Sequence, residues 1–142
     1  ENMVRFSPAS GTVSAEVIWG IVRNNNAFLV RRDGGRNDFS KEPGNLENLS
    51  SFRNSGIANR RVVDLAPAKR ADGSACVELT IKSKSGKRRP IRSAKKTQLA
   101  RDPSKDFRRV ANAIKKNVGS YRPDLEGVAL ARWTKLHRSL VR

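Results

Sequence analysis

The feature that most constrains this chain is the placement of its positive charge. Of 142 residues, 30 are Lys or Arg and 13 are Asp or Glu, a formal net charge of +17. Residues 1–81 are nearly balanced, with 11 basic and 9 acidic side chains, whereas residues 82–142 hold 19 basic and 4 acidic. Like charges at that density oppose compaction unless a polyanion neutralises them. Any fold must therefore keep the second half's excess on its outside while burying what apolar surface there is. At 37% hydrophobic residues the chain can still form a small core. One small domain with basic extensions is expected, with a nucleic acid as the natural partner.

Several classes of function are excluded by what is scarce. A single Cys (Cys76) and a single His (His137) cannot supply a disulfide, a zinc site of thiolates and imidazoles, or a paired nucleophile and base. The longest apolar runs, 17–22 and 27–30, fall far short of the ~20 residues that a membrane-spanning helix needs. No apolar segment follows a basic start, so the N-terminus does not read as a signal peptide, and a reducing cytosolic or nuclear setting is expected. There is no P-loop and no G-x-G-x-x-G. The carboxylates Asp33, Asp38, Glu42 and Glu47 read as surface solubility beside neutralising cations. No enzyme activity, cofactor, metal or small-molecule substrate is expected.

The patterning predicts an α+β fold: a small antiparallel sheet with an N-terminal helix, two C-terminal amphipathic helices, and basic loops and extensions. Residues 1–13 read as an N-terminal extension, 14–99 as helix plus sheet, and 100–142 as the helical part of the same domain. Ser14 is an N-cap for a helix through Val22, with Val17, Ile18, Ile21 and Val22 on one stripe and Trp19 beside it. A strand over 27–32 and a turn at Asp33-Gly34-Gly35 lead into a long polar loop, 37–56. Strands follow over 60–65 and 75–81, the second with Val77, Leu79 and Ile81 inward. Ser85-Gly86 reads as the turn of a basic hairpin spanning 82–96, in which Pro90 makes 87–92 an edge strand. Asp102-Pro103 marks the start of a helix ending at Gly119, with Phe107, Val110, Ala111, Ile114 and Val118 on one arc. A second helix begins near Pro123, with Leu125, Val128, Ala129, Trp133, Leu136 and Leu140 on its stripe. Trp19, Phe28, Phe107 and Trp133 are expected in the core, leaving Phe6, Phe39, Phe52 and Tyr121 as possible stacking partners for a base.

The candidate RNA contacts follow the cations. The run 82–96 holds Lys82, Lys84, Lys87, Arg88, Arg89, Arg92, Lys95 and Lys96 without one acid. Arg108, Arg109, Lys115 and Lys116 occupy the helix arc opposite the apolar stripe. In the long loop, Asn45, Asn48, Arg53, Asn54 and Ser55 are good donors to phosphate and ribose, and Arg60 and Arg61 follow them. That loop and the 82–96 run are expected to order only against RNA. Ammonium groups and guanidinium forks, with few exposed aromatics, suit recognition of folded RNA by backbone and shape.

Particular residues carry a resemblance. Val17-Ile18-Trp19, Val22-Arg23-Asn24 with Asn25, and Phe28-Leu29-Val30 are followed by Phe39-Ser40-Lys41-Glu42-Pro43 with Asn45-Leu46. Then come Ser51-Phe52-Arg53-Asn54-Ser55-Gly56-Ile57-Ala58-Asn59, and later Tyr121-Arg122-Pro123-Asp124-Leu125 and Ala129-Leu130-Ala131-Arg132. In this order and spacing, over roughly 17–136, the chain resembles the eukaryotic large-subunit ribosomal protein twenty-eight family. The resemblance implies a non-enzymatic structural constituent of the large subunit that binds rRNA and neighbouring ribosomal proteins and supports translation. It also implies a cytoplasmic ribosomal location reached through nucleus and nucleolus. It carries RNA or assembly contacts onto 51–54 and 121–124, which adds Arg122 to the candidates. The alternative is a nucleolar large-subunit assembly factor or RNA chaperone; one such family shares a similar N-terminal domain but bears a cysteine cluster, whereas Cys76 stands alone.

Overall fold

In a computed structural model, the structure describes residues 13–31, 38–82, 94–99 and 106–140. Three helices and two small antiparallel sheets make an α+β fold. Helix α1 (Ala15–Val22) is followed by β1 (Leu29–Val30) and β2 (Phe39–Ser40), which pair with each other, and by β3 (Val63–Lys69), β4 (Ala75–Lys82) and β5 (Ala94–Leu99), in the order β3-β4-β5. Helix α2 (Phe107–Tyr121), a single 3-10 turn (Pro123–Leu125) and α3 (Glu126–Leu140) complete it.

The core forms between the three-stranded sheet and the two C-terminal helices, where two periodicities meet. Every second residue of β3 and β4 points inward, and the pairing Leu65 to Leu79 sets Val63, Leu65, Val77 and Leu79 on one face. Against them lie Val110, Ile114 and Val118 of α2, Leu125, and Ala129 and Trp133 of α3. Each large side chain so buried contributes about 1.5–3 kcal/mol. Trp133 is fully buried, its indole N–H donates to the Phe107 carbonyl at 3.2 Å, and its ring stacks on Phe107 with centroids 5.8 Å apart. The apolar stripes expected for both helices are thus the ones that pack.

Boundaries differ in instructive ways. Strand β3 begins at Val63, later than the strand expected over 60–65, and continues through Pro67 because it is an edge strand, where a missing N–H is tolerated. The turn at Ser85-Gly86 and the segment 87–92 lie outside the described residues, and the edge strand opposite β3 is Ala94–Leu99. Asp102-Pro103 also lies outside them; Asp106 occupies the N-cap position of α2. Gly119 does not end α2, which runs on to Tyr121. A Cβ at Gly119 would meet only the movable end of the Glu126 side chain, 2.8 Å away, so the position does not demand glycine.

The N-terminal part departs furthest from expectation. Ser14 does cap α1, its hydroxyl accepting from Val17 N–H at 3.4 Å, but no residue of the helix is buried. Ile18, Trp19 and Val22 are partly covered, Val17 and Ile21 face solvent, and Phe28 is exposed rather than in the core. The strand expected over 27–32 shrinks to Leu29–Val30, and the turn at 33–35 lies outside the described residues.

The loop expected to wait for RNA has an interior of its own over its described part, 38–56. Glu42 is buried at its centre and accepts from Gly56 N–H at 3.1 Å, Ser55 Oγ at 3.3 Å and Asn45 Nδ2 at 3.4 Å. It is therefore an organising acceptor, not a solubilising surface acid. Glu47 accepts from Asn54 Nδ2, and Asp38, partly buried, accepts Ser50 N–H on its carbonyl at 2.9 Å. Two glycines permit the fold of the loop: Gly44 takes φ +86° with Val62 Cγ1 2.3 Å from where a Cβ would be, and a Cβ on Gly56 would lie 2.2 Å from the Pro43 carbonyl oxygen. Leu46 then reaches the main core.

Candidate nucleic-acid interface

The segments 51–54 and 121–124, far apart in sequence, meet in space, and Arg122 joins them. The residue sits between α2 and the 3-10 turn, where Pro123 at the first position of that turn sets the chain's new direction. Its guanidinium makes a two-pronged pair with Asp124, Nε to Oδ1 at 3.2 Å and Nη2 to Oδ2 at 2.6 Å. The same group donates to the carbonyls of Arg61 (3.1 Å) and Arg53 (3.2 Å). Arg61 Nη1 donates back to the Tyr121 carbonyl at 3.4 Å, and its guanidinium lies 5.9 Å from the Tyr121 ring centroid. Arg53 donates to the Asp124 carbonyl and stands 3.5 Å from its carboxylate. The Tyr121 hydroxyl donates to the Lys82 carbonyl, closing the junction onto the end of β4.

Exposure sorts these cations into two kinds. The Arg122 side chain is 14% exposed and that of Arg53 is 54% exposed, so one is enclosed by acceptors and the other faces solvent. Arg60 and Arg61 are exposed as well, and with Asn59, Tyr121, Pro123 and Ala15 they line an open groove of about 400 Å³. The hydrogen bond from Arg122 holds the Asp124 carboxyl below its ordinary value, with a smaller pull from Arg53. Burial raises the Tyr121 phenol, against weaker opposing pulls from Arg61 and Arg122. At neutral pH the junction therefore pairs Asp124 with the enclosed Arg122 and with the more exposed Arg53, and presents Arg53, Arg60 and Arg61 outward.

A second cationic surface lies along α2. Arg108, Arg109, Lys115 and Lys116 are exposed on the side opposite Val110, Ile114 and Val118, over about 12 Å of helix. Arg109 borders a further groove with Gln98 and Leu99 of β5. On β5 itself Lys95 is exposed, and Lys96 pairs with the Glu78 carboxylate at 2.9 Å across the sheet. Lys82 is partly buried at the end of β4. Lys84, Lys87, Arg88, Arg89 and Arg92 lie outside the described residues.

Of the loop's expected phosphate donors, Asn45, Asn54 and Ser55 are buried in the loop's own network. Asn54, a candidate contact, spends its amide on Glu47. Asn48 faces a groove between the loop and α3, and in the orientation that satisfies its neighbours it donates to the Asn45 carbonyl at 3.2 Å and accepts from Arg132 Nη1 at 3.1 Å. Lys135 borders the same groove and is exposed, although it was not among the candidates. Its signal in the sequence is the set of cations Arg132, Lys135 and Arg138 interleaved with the apolar stripe of α3. Phe52, one of the candidate stackers, is exposed, its ring centroid 6.2 Å from that of Trp19.

Residues 17–139 match the Ribosomal L28e protein family. A relative from Dictyostelium discoideum, named as large ribosomal subunit protein eL28, is 34% identical over 126 residues, covering 89% of this chain and 86% of its own length. Proteins of the same name from Schizosaccharomyces pombe and Caenorhabditis elegans are 32% identical over 124 residues and 31% identical over 107. These cover 85% and 75% of this chain, and 88% and 76% of their own lengths. The matched span runs from α1 to the last turn of α3.

Proposed function

The chain belongs to the Ribosomal L28e protein family, and from that premise we propose that it is a structural constituent of the large ribosomal subunit, where it binds folded rRNA and supports translation. The observation that carries the rRNA reading is α2: its apolar arc is buried while Arg108, Arg109, Lys115 and Lys116 stand in solvent on the other side. Four cations on one exposed face repel one another, and a polyanion relieves that repulsion. Arg53, Arg60 and Arg61 at the junction, with Lys82, Lys95 and Lys96 and the run 83–93, extend the same chemistry. Arg122 serves this surface from behind by holding the backbones of Arg53 and Arg61. Neighbouring ribosomal proteins are its other partners, and it works by holding RNA rather than by catalysis. It passes through nucleus and nucleolus during assembly and acts on cytoplasmic ribosomes.

Each phosphate neutralised releases condensed counterions, so about eight contacts give a log–log salt slope of roughly −5 to −7 for binding. Many contacts made at once, within an assembled particle, nonetheless give slow exchange. The test is to wash purified large subunits with rising salt and quantify the chain against a core ribosomal protein. Near one copy per subunit, retained until other core proteins leave, is the expected result. Loss at low salt, or presence only on immature particles, would assign the chain to the assembly factors instead.

A further inference from the structure

The eight large hydrophobic side chains that stand exposed among the described residues all fall between Val13 and Ile57, and β3, β4, β5, α2 and α3 contribute none. The charge is divided the other way. Residues 13–57 carry six basic and five acidic side chains, whereas 58–142 carry 23 basic and seven acidic. Apolar surface is thus left open where the net charge is close to zero. A polyanion gains least there.

Helix α1 is the extreme case. Ile18, Trp19 and Val22 are partly covered by the rest of the chain, yet Val17 and Ile21 on the outer side are 54% and 68% exposed, and Val13, one turn earlier, 56%. A helix whose apolar arc extends beyond the side its own chain covers is one that is covered on that outer side too in its working state. Its one charged side chain is Glu16, which is exposed. A carboxylate beside an apolar stripe disfavours RNA and favours a cation. Two copies of a chain at +17 repel one another, which disfavours self-association through so small a stripe.

We propose that the outer stripe of α1, Val17 and Ile21, with Val13 just ahead of its N-cap, is the docking surface for a neighbouring protein that offers an apolar seat and a Lys or Arg opposite Glu16. The proposal rests on placement in the large subunit. It gives the two halves of the chain different partners: protein against α1, RNA against the basic half.

The experiment uses assembled subunits. With Ile21→p-benzoylphenylalanine incorporated in cells, irradiated large subunits are expected to yield a cross-link to one other protein, at an apolar stretch with a basic residue beside it. A cross-link to rRNA, to residues 1–12 of the same chain or to a second copy overturns the proposal, as does no cross-link in subunits that contain the variant. Lys115→p-benzoylphenylalanine, on α2, is the companion and is expected to cross-link rRNA. A second variant keeps the proposal open to failure if the photoreactive chain does not assemble. Val17→Ser with Ile21→Ser is expected to leave the thermal midpoint and rRNA affinity unchanged while lowering retention on salt-washed subunits roughly tenfold. Unchanged retention overturns the docking. Absence of the wild-type chain from large subunits overturns the premise, and its own sedimentation tells that failure apart from the first.

Discussion

Arg122 shows why residue type alone does not identify an RNA contact. A guanidinium meets a phosphate and a pair of backbone carbonyls with the same donors. What separates the two uses is burial, and here the burial comes from loop residues around Arg53 and Arg61, some sixty or more positions away. Asn54 was misleading for the same reason, its amide being committed to Glu47 inside the loop. Because Arg122 serves Asp124 and two carbonyls while mostly enclosed, Arg122→Ala is expected to destabilise the fold by about 2–3 kcal/mol, measured by denaturant unfolding at pH 7. Arg122→Lys should recover little of this, since an ammonium cannot reproduce the fork. The loss also has a pH signature. Asp124 has a depressed folded value, so its contribution is full above the ordinary 3.8 and is lost as pH falls through the lowered value. The gap between wild type and Arg122→Ala should therefore narrow below about pH 4, and a gap that stays constant down to pH 2 would assign the loss to the carbonyl contacts alone.

Among the elements, those with a period were legible and those without one were not. Helices α2 and α3 announced themselves by apolar residues at helical spacing and by Pro123 with acids in the first turn, and β4 by strict alternation of Val77, Leu79 and Ile81. The described loop, 38–56, has no period, because its order comes from one buried carboxylate, short amides and two close-packed glycines. Nothing in the spacing of Glu42, Asn45 and Ser55 distinguishes that arrangement from a polar surface loop. Helix α1 was misread in the opposite sense: its stripe was visible, but which side the rest of the chain covers was not. The outward arc of α2 is the element on which the charge argument depends. Neutralising Lys115 and Lys116 together as Lys115→Gln and Lys116→Gln is expected to leave thermal stability unchanged and to reduce the magnitude of the rRNA salt slope by about 1.4–1.8, the share of two phosphate contacts. An unchanged slope would remove α2 from the interface.

For the whole molecule, the split between a nearly neutral first half and a strongly basic second half survives in three dimensions as a change of surface chemistry. The core is built where the two meet, from the sheet of β3 to β5 and the helices α2 and α3, so that apolar interior and cationic exterior are two sides of the same elements. Among the described residues, exposed large apolar side chains gather instead between Val13 and Ile57. As proposed, the chain is divided by partner, with rRNA on the basic half and protein on α1. Cross-linking purified large subunits with ultraviolet light and mapping which peptides of this chain carry ribonucleotide is the most direct measurement of that division. The cross-linked peptides should fall within 53–61 and 82–122, with none from 13–31. Ribonucleotide confined to 13–31, or no cross-link from β4 through α2, would contradict it.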